Sequence, residues 1–144
     1  YFMLKVDPKK RMLFDPEESI DFNGNTGPFI QYTYARIQSM LRKYGKEGVV
    51  SSEVEMIAKE KEIIKLVNEF PAVIQEAAEQ YSPALVANFV YELVKEYNGY
   101  YQNTPILVGD DAAQIAFRGA LSDMVARVIK TGMKLLGVSV PNRM

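Results

Sequence analysis

Apolar residues recur at spacings of three and four along most of this chain, and that period admits few folds. Ile30, Tyr34, Ile37, Leu41 and Tyr44 follow one another at intervals of four, three, four and three, which makes one face of an α-helix. Gly45 and Gly48 are stop signals for this helix, which begins at Pro28. Ser52 with Glu55 forms a capping box that opens a second helix, with Val54, Ile57, Ile64 and Val67 facing inward. Phe70-Pro71 is expected to break it and start a third, whose apolar residues are Val73, Ile74, Ala77, Ala78 and Tyr81. Ser82-Pro83 opens a fourth, lined by Val86, Phe89, Val90, Leu93 and Tyr97. A loop at Asn103-Thr104-Pro105 runs to Gly109, and Asp110 or Asp111 caps a last long helix that reaches Leu136 and stops at Gly137. Alternation is weak and confined to Phe2, Leu4 and Val6. The expected fold class is therefore all-α: five helices with short connections in an antiparallel helical bundle. Ahead of them, Asp15-Pro16-Glu17-Glu18 opens a short helical turn, with acids at the positive end of its dipole.

A length of 144 residues is about one domain of chain. No apolar run approaches the roughly 18 residues of a membrane span, and no charged-then-apolar leader opens the chain, so the expectation is a soluble protein. The absence of Cys rules out disulfides, thiolate metal sites and cysteine nucleophiles. The absence of His removes the commonest general base and metal ligand. Catalytic, cofactor and metal residues are thus expected to be missing, and a binding module, or a piece of something larger, is the class that remains. The start at Tyr1, without an initiator Met, reads as the continuation of a longer protein.

The net charge of −1 conceals a segregation of sign. Residues 1–50 carry a net of +2, residues 51–111 a net of −7, and residues 112–144 a net of +4. Either a two-sign surface sorts this way by chance, or a basic last helix faces an anionic partner while the acidic middle faces away. The basic residues concerned are Arg118, Arg127, Lys130, Lys134 and Arg143.

The paired acids Glu17-Glu18, Glu53/Glu55 and Asp110-Asp111 all sit at helix starts, where capping and the dipole account for them. Gly24-Asn25-Thr26-Gly27 either offers free N–H groups to an anion or forms a plain turn. The aromatics are more informative. Phe29, Tyr32 and Arg36 form a second stripe on the helix from Pro28, displaced by roughly 140° from the core stripe at about 100° per residue. Two aromatics and an arginine suit a platform for stacking bases, unless a neighbouring helix covers them. Tyr97, Tyr100 and Tyr101 cannot all enter one core, so at least one should reach a surface.

The segment from Phe22 through Asn23-Gly24-Asn25-Thr26-Gly27-Pro28-Phe29-Ile30-Gln31-Tyr32-Thr33-Tyr34-Ala35-Arg36 to Ile37 closely resembles the T-G-[PY]-x-[IL]-Q-Y-x-x-[AS]-R segment of arginyl-tRNA synthetases. The stretch from Tyr1-Phe2 to Phe14-Asp15-Pro16-Glu17-Glu18-Ser19 is similar to the part upstream of it. Leu93-Val94-Lys95-Glu96-Tyr97-Asn98-Gly99-Tyr100-Tyr101 resembles that family's L-x-x-x-F-[NS]-x-[FY]-Y helix end. Phe117-Arg118-Gly119-Ala120-Leu121 through Gly137, with Val140-Pro141-Asn142-Arg143-Met144, resembles its closing R-x-A-L…G-x-x-L-L-G…P-x-[RK]-M. The likeness runs in order over essentially the whole chain.

The resemblance implies a C-terminal fragment, in which residues 1–26 end a catalytic domain or connector and residues 27–144 form the all-helical anticodon-binding domain called DALR. Asp123-Met124-Val125-Ala126-Arg127 falls at the namesake motif and keeps only its first and last residues. The family's ATP signature and K-M-S-K loop are absent here, so ATP, the cofactor of the missing catalytic domain, is expected to have no site in the fragment, and the fragment is not expected to aminoacylate. Carried over by position, the anticodon-binding residues would be Phe29, Tyr32, Arg36, Tyr101, Arg143 and Met144. Arg118, Arg127, Lys130 and Lys134 would follow the tRNA backbone. The implied partners are the anticodon stem-loop of tRNA(Arg) and the protein's own catalytic domain, in a cytoplasmic monomer without membrane contact. Every arginine anticodon has C in the middle, so a pocket for one constant pyrimidine is what such a domain needs. The rival expectation is a helical module that docks another protein through the same Tyr-rich face and binds no RNA.

Overall fold

The computed structural model describes residues 1–45, 54–109 and 111–144. Five helices run in the order α1 (Pro16–Ser19), α2 (Gly27–Tyr44), α3 (Ala58–Glu79), α4 (Pro83–Asn103) and α5 (Ala112–Leu135), and there is no strand among the described residues. Polar groups set most of the helix starts. Asp15 accepts the Glu17 and Glu18 N–H groups of α1, Thr26 accepts that of Phe29 in α2, and Asp111 accepts those of Ala113 and Gln114 in α5. The Gly24–Gly27 segment is used as a turn, with the Thr26 N–H bonded to the Gly24 carbonyl at 3.0 Å.

Two expectations need correction. The second and third expected helices are one, because α3 runs through Pro71 without ending. Pro71 faces solvent, where water can satisfy the carbonyl left without an N–H partner, while apolar residues on both sides of it hold the helix to the bundle. Ile63 and Phe70 anchor the first half and Ala77 the second within one core cluster, with Ile74 packed against it. Buried area on both sides of the proline thus outweighs one missing hydrogen bond. The start of α3 also differs. Residues 54–57 are not helical, Val54 is half-buried and Ile57 is 42 % exposed, and the reciprocal acid is Glu60, whose Oε2 accepts the Ile57 N–H at 2.9 Å. Gly48, Ser52, Glu53 and Asp110, named in the sequence as stop or cap residues, lie outside the described residues.

The end of α3 holds a third departure. Tyr81, named among the apolar residues of the third expected helix, is 87 % exposed and adopts φ 51°. It occupies the left-handed position of a C-terminal cap in which the Ser82 N–H bonds the Ala77 carbonyl and the Tyr81 N–H bonds that of Ala78. Gly137, at φ 74°, occupies the same position after α5, where it was expected as a stop. The tight connection through residues 80–82 folds α4 back along α3, α5 packs against α2, α3 and α4, and α2 also touches α4.

The core lies among these four long helices. Ile30, Ile37, Ile63, Val90, Leu93, Val94, Tyr97, Tyr100, Val125, Ile129 and Met133 are fully buried within it. At Gly132 α5 comes so close to α4 that a Cβ would sit 2.5 Å from Val90 Cγ2. Tyr97 donates to Ser122 Oγ at 2.8 Å, and Tyr100 donates to Glu60 Oε1 at 3.1 Å. Burial pushes both phenols far above their ordinary value of 10.0. The sign of the pH dependence follows. Above about pH 10 the unfolded chain gains phenolates that the folded chain does not form, so stability present below that pH is lost as pH rises. Two such groups give a fall of up to about 2.7 kcal/mol per pH unit. Thermal melts from pH 8 to pH 11 should show a steep alkaline loss, and Tyr97→Phe should make it shallower, with Tyr1, Tyr34 and Tyr100 supplying the rest.

Candidate nucleic-acid interface

Helical period places Tyr32, Arg36, Ser39 and Lys43 on one outward stripe of α2. Arg36 is its centre. The guanidinium carbon lies 4.3 Å from the Tyr101 ring centroid and 5.7 Å from that of Tyr32, so the cation sits between an aromatic of α4 and one of its own helix. Asn98 on α4 fixes the guanidinium by accepting from Arg36 Nη2, and its own amide nitrogen donates to Thr33 Oγ1 at 3.1 Å. The Arg36 Nε–H is buried and has no acceptor among the described residues. Of the three clustered tyrosines, Tyr97 and Tyr100 are fully buried and Tyr101 alone is half-exposed, as the sequence required of at least one.

Two grooves meet at this arginine. The larger, about 750 Å³, lies between α2 and the end of α4, with Arg36, Lys43, Tyr44 and Tyr101 on one side and Ile106 to Val108 on the other. The second, about 670 Å³, lies between the Tyr32–Lys43 stripe and the chain end, and is lined by Tyr32, Arg42, Arg143 and Met144 among others. Among the described residues neither groove is lined by an Asp or Glu side chain, while Arg36 and Lys43 line both and Arg42 and Arg143 line the second. The tail is held along α2 by three hydrogen bonds. Gln31 Nε2 donates to the Ser139 carbonyl at 2.7 Å, Arg42 Nη1 to the Asn142 carbonyl at 3.0 Å, and Tyr34 Oη to Asn142 Oδ1 at 3.3 Å. Arg143 and Met144 therefore project from a fixed point, both exposed.

The remaining candidates lie elsewhere. Phe29 is half-buried, with its ring 5.9 Å from that of Tyr91 on α4, so a neighbouring helix covers it. Arg118 points into the bundle. Its Nε donates to Glu60 Oε1 at 2.9 Å and its Nη1 to the Pro105 carbonyl at 2.9 Å, which ties the loop walling the larger groove to α3 and α5. Arg127, Lys130 and Lys134 are exposed on α5, with Arg127 paired to Asp123 at 2.8 Å, and none of the three lines either groove. Ser39, Lys43, Asn98 and the tail clamps Gln31, Arg42 and Asn142 were not singled out in the sequence. Continuing the 32/36 stripe by one more turn would have found Ser39 and Lys43; the rest depend on contacts between distant segments.

Among the described residues no helix is long and apolar enough to cross a membrane, and no three His, Cys, Asp or Glu side chains gather as a metal site requires. The sequence pattern of the DALR anticodon binding domain matches residues 30–144. The chain belongs to the DALR anticodon-binding domain family. The DALR chain is 57 % identical over its whole length to an arginine–tRNA ligase of Flavobacterium psychrophilum and 55 % identical to one of Bacteroides thetaiotaomicron. It spans only about a quarter, 24 % and 25 %, of these curated relatives. Among solved structures, Thermus thermophilus arginyl-tRNA synthetase superposes with a TM-score of 0.91 at 32 % identity, over 99 % of the DALR chain and 25 % of that protein. A second structure, described as a putative arginyl-tRNA synthetase from Campylobacter jejuni, matches at 20 % identity with a TM-score of 0.86 and shows the shared fold.

Proposed function

We propose that this chain is the anticodon-reading part of an arginyl-tRNA synthetase, and that the paired grooves along α2 receive unstacked bases of the tRNA(Arg) anticodon loop. The observation that carries the reading is the Arg36 guanidinium held between Tyr32 and Tyr101 where the two grooves meet. An aromatic face offers stacking to any base, and the N–H groups of a guanidinium beside it can donate to a pyrimidine carbonyl. Arg42, Lys43 and Arg143 surround the grooves with positive charge for the loop phosphates. The exposed Arg127, Lys130 and Lys134 would meet the backbone further along the stem. Arg118 is kept out of that set by its pairing with Glu60.

The complete protein would join arginine to tRNA(Arg) with ATP, in a catalytic domain whose signatures this chain does not carry, and would act as a cytoplasmic monomer. Titration of the chain with an arginine anticodon stem-loop, and with a copy whose middle C is changed to G, tests the reading at low salt. Tighter binding of the C form is expected, with affinity falling steeply with salt at a log–log slope near −0.7 to −0.9 per neutralised phosphate. Equal binding of both forms would leave only backbone attraction. No binding to either would favour docking to a protein through the same aromatic face.

The chain end offers a second test. Removing Arg143 and Met144 should leave the melting temperature unchanged, because the tail clamps at Ser139 and Asn142 remain. It should weaken RNA binding roughly tenfold, about 1.4 kcal/mol. Unchanged affinity would take the tail out of the site.

A further inference from the structure

We propose that Phe22 extends the stacking surface beyond Tyr32 and takes the face of one further unpaired RNA base, without regard to which base it is. The proposal rests on the reading of the grooves as an RNA site. Phe22 lies in the loop before α2, outside the residues matched by the family pattern, and is 53 % exposed. Its ring centroid is 6.3 Å from that of Tyr32, itself 46 % exposed, with the planes at 87°. Edge contact of this kind fixes one aromatic against the other and covers a face of only one of the two rings. The order across the surface is then Phe22, Tyr32, Arg36 and Tyr101, with successive separations of 6.3, 5.7 and 4.3 Å.

The loop is held in place on both sides of that ring. The Thr26 hydroxyl donates to the Asp21 carbonyl at 2.5 Å, and Asp21 Oδ1 accepts the Asn23 N–H at 2.9 Å. Asn25 is clamped by the Tyr1 hydroxyl at 2.6 Å, by Lys5 Nζ at 3.0 Å and through Asn88 at 3.0 Å. A loop bonded this fully presents Phe22 in one place, so little ordering remains to be done when a base arrives. The exposed phenyl is absent from the core cluster, and it brings no hydrogen-bonding group with which to tell bases apart. Stacking on it should therefore add affinity and no discrimination, because every base has a π-face.

The chain contains no Trp, so Phe22→Trp installs the only indole at the position in question. Titrated with the arginine anticodon stem-loop, its emission should be quenched in step with binding followed separately by anisotropy of an end-labelled RNA, at parental affinity or better. Phe22→Ala should weaken binding between about fivefold and a hundredfold. The loss should be the same for the middle-C and middle-G loops, with an unchanged salt slope, and circular dichroism should show both variants as helical as the parent. RNA bound at parental affinity without quenching, or Phe22→Ala binding like the parent, overturns the proposal and leaves the grooves as the RNA site. A changed C-to-G ratio in Phe22→Ala overturns the claim that this position is blind to the base. Failure of every variant and the parent to bind RNA removes the reading beneath the proposal, and the proposal with it.

Discussion

Glu60→Ala should destabilise the bundle by about 3–5 kcal/mol, the cost of removing one member of a buried ion pair. Glu60 is fully buried, and its two oxygens take three donors: Arg118 Nε, the Tyr100 hydroxyl and the Ile57 N–H. Truncation leaves a largely buried guanidinium, a fully buried phenol and the N-cap N–H of α3 without that acceptor. For a domain of this size the melting temperature should fall by roughly 10–15 °C. Glu60→Gln keeps shape and one oxygen, and should lose less. Replacing Glu60 and Arg118 together by Met should recover much of the loss, because the desolvation of both charges disappears with the pair. A Glu60→Ala melt within a few degrees of the parent would show that Arg118 finds water or another acceptor. The same variant should also loosen the larger groove, since Arg118 holds the Pro105 carbonyl in its wall.

Tyr101→Ala is expected to lose RNA affinity on the order of 1–3 kcal/mol for one stacked base. At 1.4 kcal/mol per factor of ten this is between about fivefold and a hundredfold, read by titration with the anticodon stem-loop. The substitution also frees Arg36, whose guanidinium lies against the Tyr101 ring. Tyr101→Ala and Arg36→Ala should therefore combine to less than the sum of their separate losses, as residues in contact do. Tyr101→Phe keeps the face and should bind within about twofold of the parent if stacking is what the residue supplies. If Tyr101→Ala unfolds the domain while Tyr101→Phe binds normally, Tyr101 is a core residue and the site lies elsewhere.

The difference between Tyr101 and its two neighbours shows where sequence reasoning reached. Period alone established that three tyrosines within five residues overfill one helix face, and Tyr101 is the one left half-exposed. Period did not indicate that a second helix would cover Phe29, because coverage depends on where α4 crosses α2. Nor could it assign Arg118. An arginine on a basic helix suits a phosphate and a buried acid equally well, and only the position of Glu60 across the bundle, 58 residues away in the chain, separates the two.

By itself the sequence determined the class of fold, four of its five helix starts to within a residue or two, an aspartate cap for the last helix at Asp110 or Asp111, and the aromatic surplus on α2 and α4. These follow from interactions between residues no more than four apart, and helical period and capping chemistry report those directly. The tertiary structure decided that α3 runs through Pro71, that the Tyr81 ring stands exposed, that Glu60 claims Arg118, and that the tail is clamped along α2. Each depends on contacts between segments far apart in the chain. A missing backbone hydrogen bond or an exposed ring is a local cost that distant burial can outweigh, and no local pattern records which distant face will supply it.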